Sequence, residues 1–155
     1  MASGYWQDFT TSDFLRLSPE GTIALLPVAA IEQHGPHLPL ATDALINEAI
    51  VSECLKLLPE HCAVLVLPAM TVGSSLEHTA FPGTLSIDAD TLLSAWKAIG
   101  TSVSHSGIRK LVVFNSHGGQ TAFGGPCSTA TTRRAENVRS SRQLFCLWHT
   151  AGTLR

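Results

Sequence analysis

Three short apolar runs alternate with two helical patterns over the first 121 residues of the chain. The runs at residues 23–28, 63–67 and 111–114 are continuously apolar. Such runs are typical of parallel strands that are buried on both faces of a sheet. Pro68 follows the second run, and a Gly-rich turn follows the third. The pattern therefore predicts three buried strands.

Two amphipathic segments separate these strands. The first is predicted from Asp43 to about residue 58, with Thr42 as its N-cap and an apolar face of Leu45, Ile46, Ala49, Ile50 and Leu57. The second follows Asp88 as its cap and ends at Gly107, with an apolar face of Leu92, Leu93, Trp96, Ile99 and Val103. The order predicts an α/β fold, a three-layer α/β/α sandwich with a mainly parallel central sheet.

The length, composition and net charge of the chain limit the classes of function. With 155 residues, 45% of them hydrophobic, the chain suits one globular domain. A net charge of −2 gives no general attraction to nucleic acid or to an anionic membrane. No apolar stretch reaches the roughly 18 residues of a membrane span, and the N-terminus lacks a secretory signal pattern. We expect a cytoplasmic protein that binds neither nucleic acid nor membranes.

The last part of the chain differs in charge and periodicity. Residues 1–121 carry five basic and eleven acidic residues, whereas residues 122–155 carry five arginines and only Glu136 as an acid. A basic nucleic-acid-binding arm is one explanation. The loss of any period of 2 or 3.6 favours a frameshift or altered gene end after about residue 122. We expect an α/β domain over 1–122 and an atypical, poorly ordered or non-native tail over 123–155.

The carboxyl ends of all three predicted strands lead into polar segments rich in Gly and Pro. Ligands and catalytic groups of open α/β sheets collect at this edge. Glu32 and His34 are one residue apart, so an extended backbone points both to the same side. Asp43 starts the first helix, and His117 follows the third strand. Carboxylate and imidazole ligands suit zinc or manganese, and Asp43 has two oxygens with which to bridge two ions.

Taken singly, each of these residues also has a structural explanation. Asp43 could simply interact with the helix dipole, Glu32 could be solvated, and His34 and His117 could be hydrogen-bonded structural histidines.

The sequence run LLPVAAIEQHGPHLPLATD (25–43) resembles the signature of the creatininase family of amidohydrolases. EHTAFPGTLSI (77–87) and NSHGGQ (115–120) match the same family in order and context.

The resemblance implies a two-metal site. It places Glu32, Asp43 and His117 on one ion and His34 with Asp43 on the other, with Asp43 bridging. Zinc and manganese are the implied ions, with iron in some branches. His78, Gly83 and Thr84 are implied to border the substrate. The implied reaction is hydrolysis of a cyclic or non-peptide amide, creatinine-like or a formamide, by a metal-bridging hydroxide. Small-molecule amides are the implied substrates, and a homo-oligomer is implied if the fold is complete.

One ligand that the resemblance requires has no counterpart. The family's fifth ligand is a glutamate, placed two residues after the third-strand histidine or in a later segment. Gly119 occupies the first position, and Glu136 is the only later glutamate, in an unrelated context. We therefore expect an incomplete second site and at most one well-bound metal. The alternative function is a catalytically impaired, metal-binding remnant of the family.

Overall fold

In the computed structural model, residues 3–120 are described in full, and residues 144–149 are described as backbone. Within these residues, five strands form one sheet in the order β1-β3-β2-β4-β5. The strands are β1 Gly4–Tyr5, β2 Thr22–Val28, β3 Ala63–Val66, β4 Lys110–Asn115 and β5 Leu144–His149. The helices are the short α1 Thr11–Phe14, followed by α2 Thr42–Leu57 and α3 Ala89–His105.

The central strands confirm the predicted parallel sheet. β2 pairs in parallel with β3 on one side and with β4 on the other. β1 also runs parallel to β3, and β5 runs antiparallel to β4. Because α2 and α3 connect strands in opposite directions along the sheet, right-handed crossovers place them on opposite faces. The result is the three-layer α/β/α arrangement that the pattern predicts.

The core lies mainly between the sheet and α3. Ala24, Leu26 and Val28 alternate along β2 and are almost completely buried, as strand geometry requires. They join a cluster with Leu65 and Val103. Asp88 caps α3 by accepting a hydrogen bond from the Thr91 N–H at 2.9 Å, as predicted. Gly107 then ends the segment with a φ of +86°.

The prediction for α2 is correct in its extent and partly wrong in its details. Ala41 is the N-cap, and the Thr42 hydroxyl instead donates to the Pro39 carbonyl at 2.6 Å. The predicted apolar face is also wrong at Leu45 and Leu57, which are 52% and 81% exposed, and at Ala49, which is exposed as well. The buried positions of the helix are Asp43, Asn47 and Val51. Spacing by four residues makes them one face, and this face carries polar groups to the sheet edge.

Asn47 attaches α2 to the carboxyl ends of β2 and β4. Its buried side-chain amide nitrogen lies 3.0 and 3.2 Å from the carbonyl oxygens of Val28 and Phe114 and 3.0 Å from the Ser116 hydroxyl, so its two hydrogens are shared among three acceptors. The Ser116 hydroxyl donates in turn to the Asp43 carbonyl at 2.9 Å. These bonds fix the first turn of the helix directly above the strand ends. No helix in the described residues is long and apolar enough to cross a membrane.

Candidate metal centre

Three predicted ligands meet in a buried cluster at the carboxyl edge of the sheet. Glu32, Asp43 and His117 each offer one ligand atom, and these atoms lie within 4.8 Å of one another. His117 Nδ1 lies 3.1 Å from Asp43 Oδ2 and 3.2 Å from Glu32 Oε1. The exposed fractions of Glu32, Asp43 and His117 are 5%, 9% and 3%, respectively. Two carboxylates this deeply buried need a compensating cation.

The position of each group follows from the local backbone. Glu32 lies just beyond β2, where its N–H donates to the Leu40 carbonyl at 3.0 Å and closes the loop to α2. Asp43 lies in the first turn of α2. His117 follows β4, and Asn115 makes reciprocal hydrogen bonds with its backbone N–H and carbonyl at 3.0 and 2.8 Å. Three separate chain segments are therefore held rigidly at one edge.

The hydrogen bonds of His117 determine where its proton lies. Its Nε2 lies 2.9 Å from the Ser74 carbonyl oxygen, which can only accept. Nε2 therefore carries a proton, and Nδ1 of the neutral ring directs a lone pair at the two carboxylates. A lone pair facing carboxylate oxygens is repulsive unless a proton or a metal ion lies between them. The site thus has a defined place for a cation.

His34 repeats this arrangement on the other oxygen of Asp43. Its Nδ1 lies 3.1 Å from the Glu32 carbonyl oxygen, which requires a proton on Nδ1. Its Nε2 then presents a lone pair to Asp43 Oδ1 at 3.3 Å. The Asp43 carboxylate therefore faces one histidine with each oxygen. In each ring a backbone carbonyl fixes the nitrogen opposite the carboxylate, as is usual around metal-bound histidines.

The charges around His117 change its pKa. Burial alone would lower the pKa of the imidazole, but its hydrogen bonds to Asp43 and to the Ser74 carbonyl, together with the negative charges of Glu32 and Asp43, outweigh burial. The pKa is therefore raised above its usual value. This environment stabilises positive charge at Nδ1, and a divalent ion bound to Nδ1 would supply such a charge.

The residues predicted to border the substrate lie beside this cluster, to different extents. His78 Nε2 is 4.0 Å from Glu32 Oε2, and the ring is partly exposed. The Thr84 hydroxyl accepts from the Gln33 N–H at 3.2 Å, so it supports the loop that carries Glu32 and His34. Gly83 is exposed in a turn with a φ of +89°, next to Leu40. Only His78 is close to a predicted ligand.

Several participants were not predicted from the sequence. Glu77 forms a second group with Glu32 and His78, in which ligand atoms again lie within 4.8 Å of one another. Its position next to His78 in the EHTAFPGT segment was the available signal. Ser74 takes part through its backbone carbonyl, for which side-chain patterns give no signal. The predicted domain boundary at 122/123 and most of the tail lie outside the described residues.

The comparisons with known proteins agree with one another. The family model Creatininase, described as creatinine amidohydrolase, matches residues 7–153. The mycofactocin precursor peptide peptidase of Mycolicibacterium smegmatis is 37% identical over 111 residues, which is 70% of this chain and 44% of that protein. The creatinine amidohydrolase of Pseudomonas putida is 30% identical over 117 residues, 72% of this chain and 42% of that protein.

Solved structures show the same likeness. A structure named Creatininase Mn matches with a TM-score of 0.69 and 28% identity, over 78% of this chain and 48% of that chain. A mutant creatininase of Zn-Zn type matches with a TM-score of 0.65 and 29% identity, over 79% and 48%. The chain belongs to the creatininase family. It spans less than half the length of these relatives.

Proposed function

We propose that this chain binds a divalent metal through Glu32, Asp43 and His117 and acts as an amidohydrolase of a non-peptide or cyclic amide, creatinine-like or a formamide. The observation that carries the proposal is the orientation of the two histidines. In each ring one nitrogen donates its hydrogen to a backbone carbonyl, and the other nitrogen faces the Asp43 carboxylate. A buried set of carboxylate and imidazole donors suits zinc or manganese.

The chain's residues divide the work in this proposal. Asp43 would bridge, since its Oδ2 faces His117 and its Oδ1 faces His34. Glu32 would neutralise charge on the His117 side, and the Ser74 carbonyl would hold that ring in its metal-binding orientation. A bound divalent ion supplies the acidification of water and the polarisation of a carbonyl that amide hydrolysis needs.

We further propose that the loop carrying His78, Gly83 and Thr84 borders the substrate. His78 is the only one of the three whose side chain reaches the metal cluster, at 4.0 Å from Glu32. Thr84 and Gly83 would act by shaping the loop, through the Gln33 hydrogen bond and the positive φ turn. Relatives named for creatinine and for a peptide precursor indicate C–N bonds of two different kinds.

Hydrolysis by metal-loaded protein is the test. The protein is stripped with a chelator, reloaded with Mn²⁺ or Zn²⁺, and assayed on creatinine, on an aryl formamide and on a short peptide. We expect turnover only after reloading, and loss of turnover in Asp43→Asn. Asp90→Asn is the matched control, because Asp90 is an exposed carboxylate in the first turn of α3. Equal turnover by stripped and reloaded protein would contradict the proposal.

The second candidate is a metal-binding protein of impaired catalysis. It is favoured by the His34–Asp43 position, which has only two protein donors among the described residues. Tight metal binding without turnover of any of the three substrates would select this candidate over the hydrolase. Turnover of any of them that depends on Asp43 would exclude it.

A further inference from the structure

Glu32 is the only buried carboxylate of the cluster with an unused oxygen. Oε1 faces His117 at 3.2 Å. Oε2 is buried and has no hydrogen-bond partner among the described residues. An unsatisfied buried carboxylate oxygen costs free energy, so a native structure is expected to place a partner there. The Oε2 atom lies 4.0 Å from His78 Nε2.

Two further side chains with metal-ligand atoms, Glu77 and His78, lie near this oxygen. His78 and Glu77 belong to one short 3-10 turn, Leu76–His78, and their ligand atoms lie within 4.8 Å of each other and of Glu32. The distance of 4.0 Å between His78 Nε2 and Glu32 Oε2 is too long for a hydrogen bond but leaves space for an ion between them. Phe81 packs edge-on against the His78 ring at 6.1 Å between centroids. The ring is therefore held in place beside the carboxylates.

Gly119 makes room for Glu77. A Cβ at position 119 would lie 2.4 Å from Glu77 Oε1 and 2.6 Å from His117 Nε2. The Glu77 carboxylate therefore lies where a side chain at 119 would begin. Glycine at position 119 therefore leaves free the space that the Glu77 carboxylate occupies.

We infer that Glu32, Glu77 and His78 form a divalent-cation position in addition to the Asp43–His117 and His34–Asp43 positions of the proposed function, with Glu32 shared between it and the Asp43–His117 position. Two carboxylates and one imidazole suit Mn²⁺ or Zn²⁺. Binding at His78 Nε2 moves the ring proton to Nδ1. The Gln33 side chain, now 3.1 Å away through its amide nitrogen, then turns its oxygen toward that proton. This position goes beyond the ligand set of the proposed function and brings His78 into the metal centre.

This position should bind metal more weakly than the Asp43–His117 position. Glu77 is exposed, so its side chain loses more conformational entropy when it binds a metal ion than the buried Asp43 side chain does. We therefore expect metal titration to show one equivalent of metal that binds tightly and depends on Asp43, and one equivalent that binds more weakly and depends on Glu77. The two dependences separate this inference from the proposed function, because failure of one leaves the other measurable.

The experiment is a calorimetric titration of the chelator-stripped full chain with Mn²⁺, repeated with Zn²⁺. Glu77→Gln and His78→Gln should each weaken the weaker equivalent by about 10-fold or more and leave the tight equivalent unchanged. Glu60→Gln, at another exposed glutamate, is the matched control. Circular dichroism confirms folding of each variant. Isotherms for Glu77→Gln that match the wild type, or loss of the tight equivalent as well, would overturn the inference.

Discussion

His117 Nδ1 lies 3.1 Å from Asp43 Oδ2, although the two residues are 74 positions apart in the chain. The contact joins the first turn of α2 to the segment after β4. It depends on a parallel sheet, which brings the carboxyl ends of β2 and β4 to the same edge. The geometry of the candidate metal centre therefore follows directly from the topology.

Asn47 is expected to be the main attachment between α2 and this edge. Asn47→Ala removes a buried donor to the Val28 and Phe114 carbonyls and should cost about 1–3 kcal/mol, because three hydrogen-bond contacts between α2 and the strand ends are lost. Chemical denaturation measures the loss. Glu48→Ala, an exposed neighbour on the same helix, should change stability by less than about 0.5 kcal/mol. Equal effects of the two changes would show that Asn47 has no such role.

The adjacent glycines after His117 should differ sharply in their tolerance of a methyl group. A Cβ at Gly118 meets no atom within 4 Å, whereas a Cβ at Gly119 is 2.6 Å from His117 Nε2 and 2.4 Å from Glu77 Oε1. Gly119→Ala should displace the His117 ring or Glu77 and weaken Mn²⁺ binding by about 10-fold or more. Gly118→Ala should leave binding unchanged. Titration of both variants tests the prediction, and a loss of binding in Gly118→Ala would contradict it.

Much of the fold could be predicted because its signals are local. Continuous apolar runs gave β2, β3 and β4, and the Asp88 cap and Gly107 gave the ends of α3. The buried face of α2 was not predictable from apolar periodicity, since Asn47 is buried for its hydrogen bonds rather than for hydrophobicity. β5 was missed because residues 144–149 follow a stretch without periodicity.

The candidate site shows the same division. Glu32, His34, Asp43 and His117 were predictable because each follows a strand end or begins a helix at the same edge. Glu77 was missed because it lies in a single 3-10 turn, where sequence spacing does not fix side-chain direction. The Ser74 carbonyl was missed because a backbone acceptor leaves no mark on the sequence.

Stability at low pH should depend on the cap of α3. Asp88 is this cap, and it accepts hydrogen bonds from the side chain and the backbone of Thr91. These bonds hold the pKa of Asp88 below the usual value of 3.8. A carboxyl group with a lowered folded-state pKa stabilises the fold above its unfolded pKa and loses this contribution as pH falls through the folded pKa. Thermal unfolding from pH 7 to pH 2.5 checks the prediction.

Asp88→Asn is the suitable comparison, because asparagine also caps helices but does not titrate in this range. The melting temperature of the wild type should therefore fall more steeply than that of Asp88→Asn as pH drops below about 4. At pH 6 to 7 the difference between the two proteins should be constant. Parallel profiles down to pH 2.5 would show that the cap's charge does not contribute.

The central claim is that Glu32, Asp43 and His117 bind a divalent metal, and anomalous diffraction from crystals grown with Mn²⁺ or Zn²⁺ tests it most directly. We expect an anomalous peak about 2.0–2.2 Å from His117 Nδ1 and from a carboxylate oxygen of Glu32 and of Asp43. The peak should disappear in crystals of Asp43→Asn. Metal-loaded crystals with no anomalous peak between these three side chains would contradict the account.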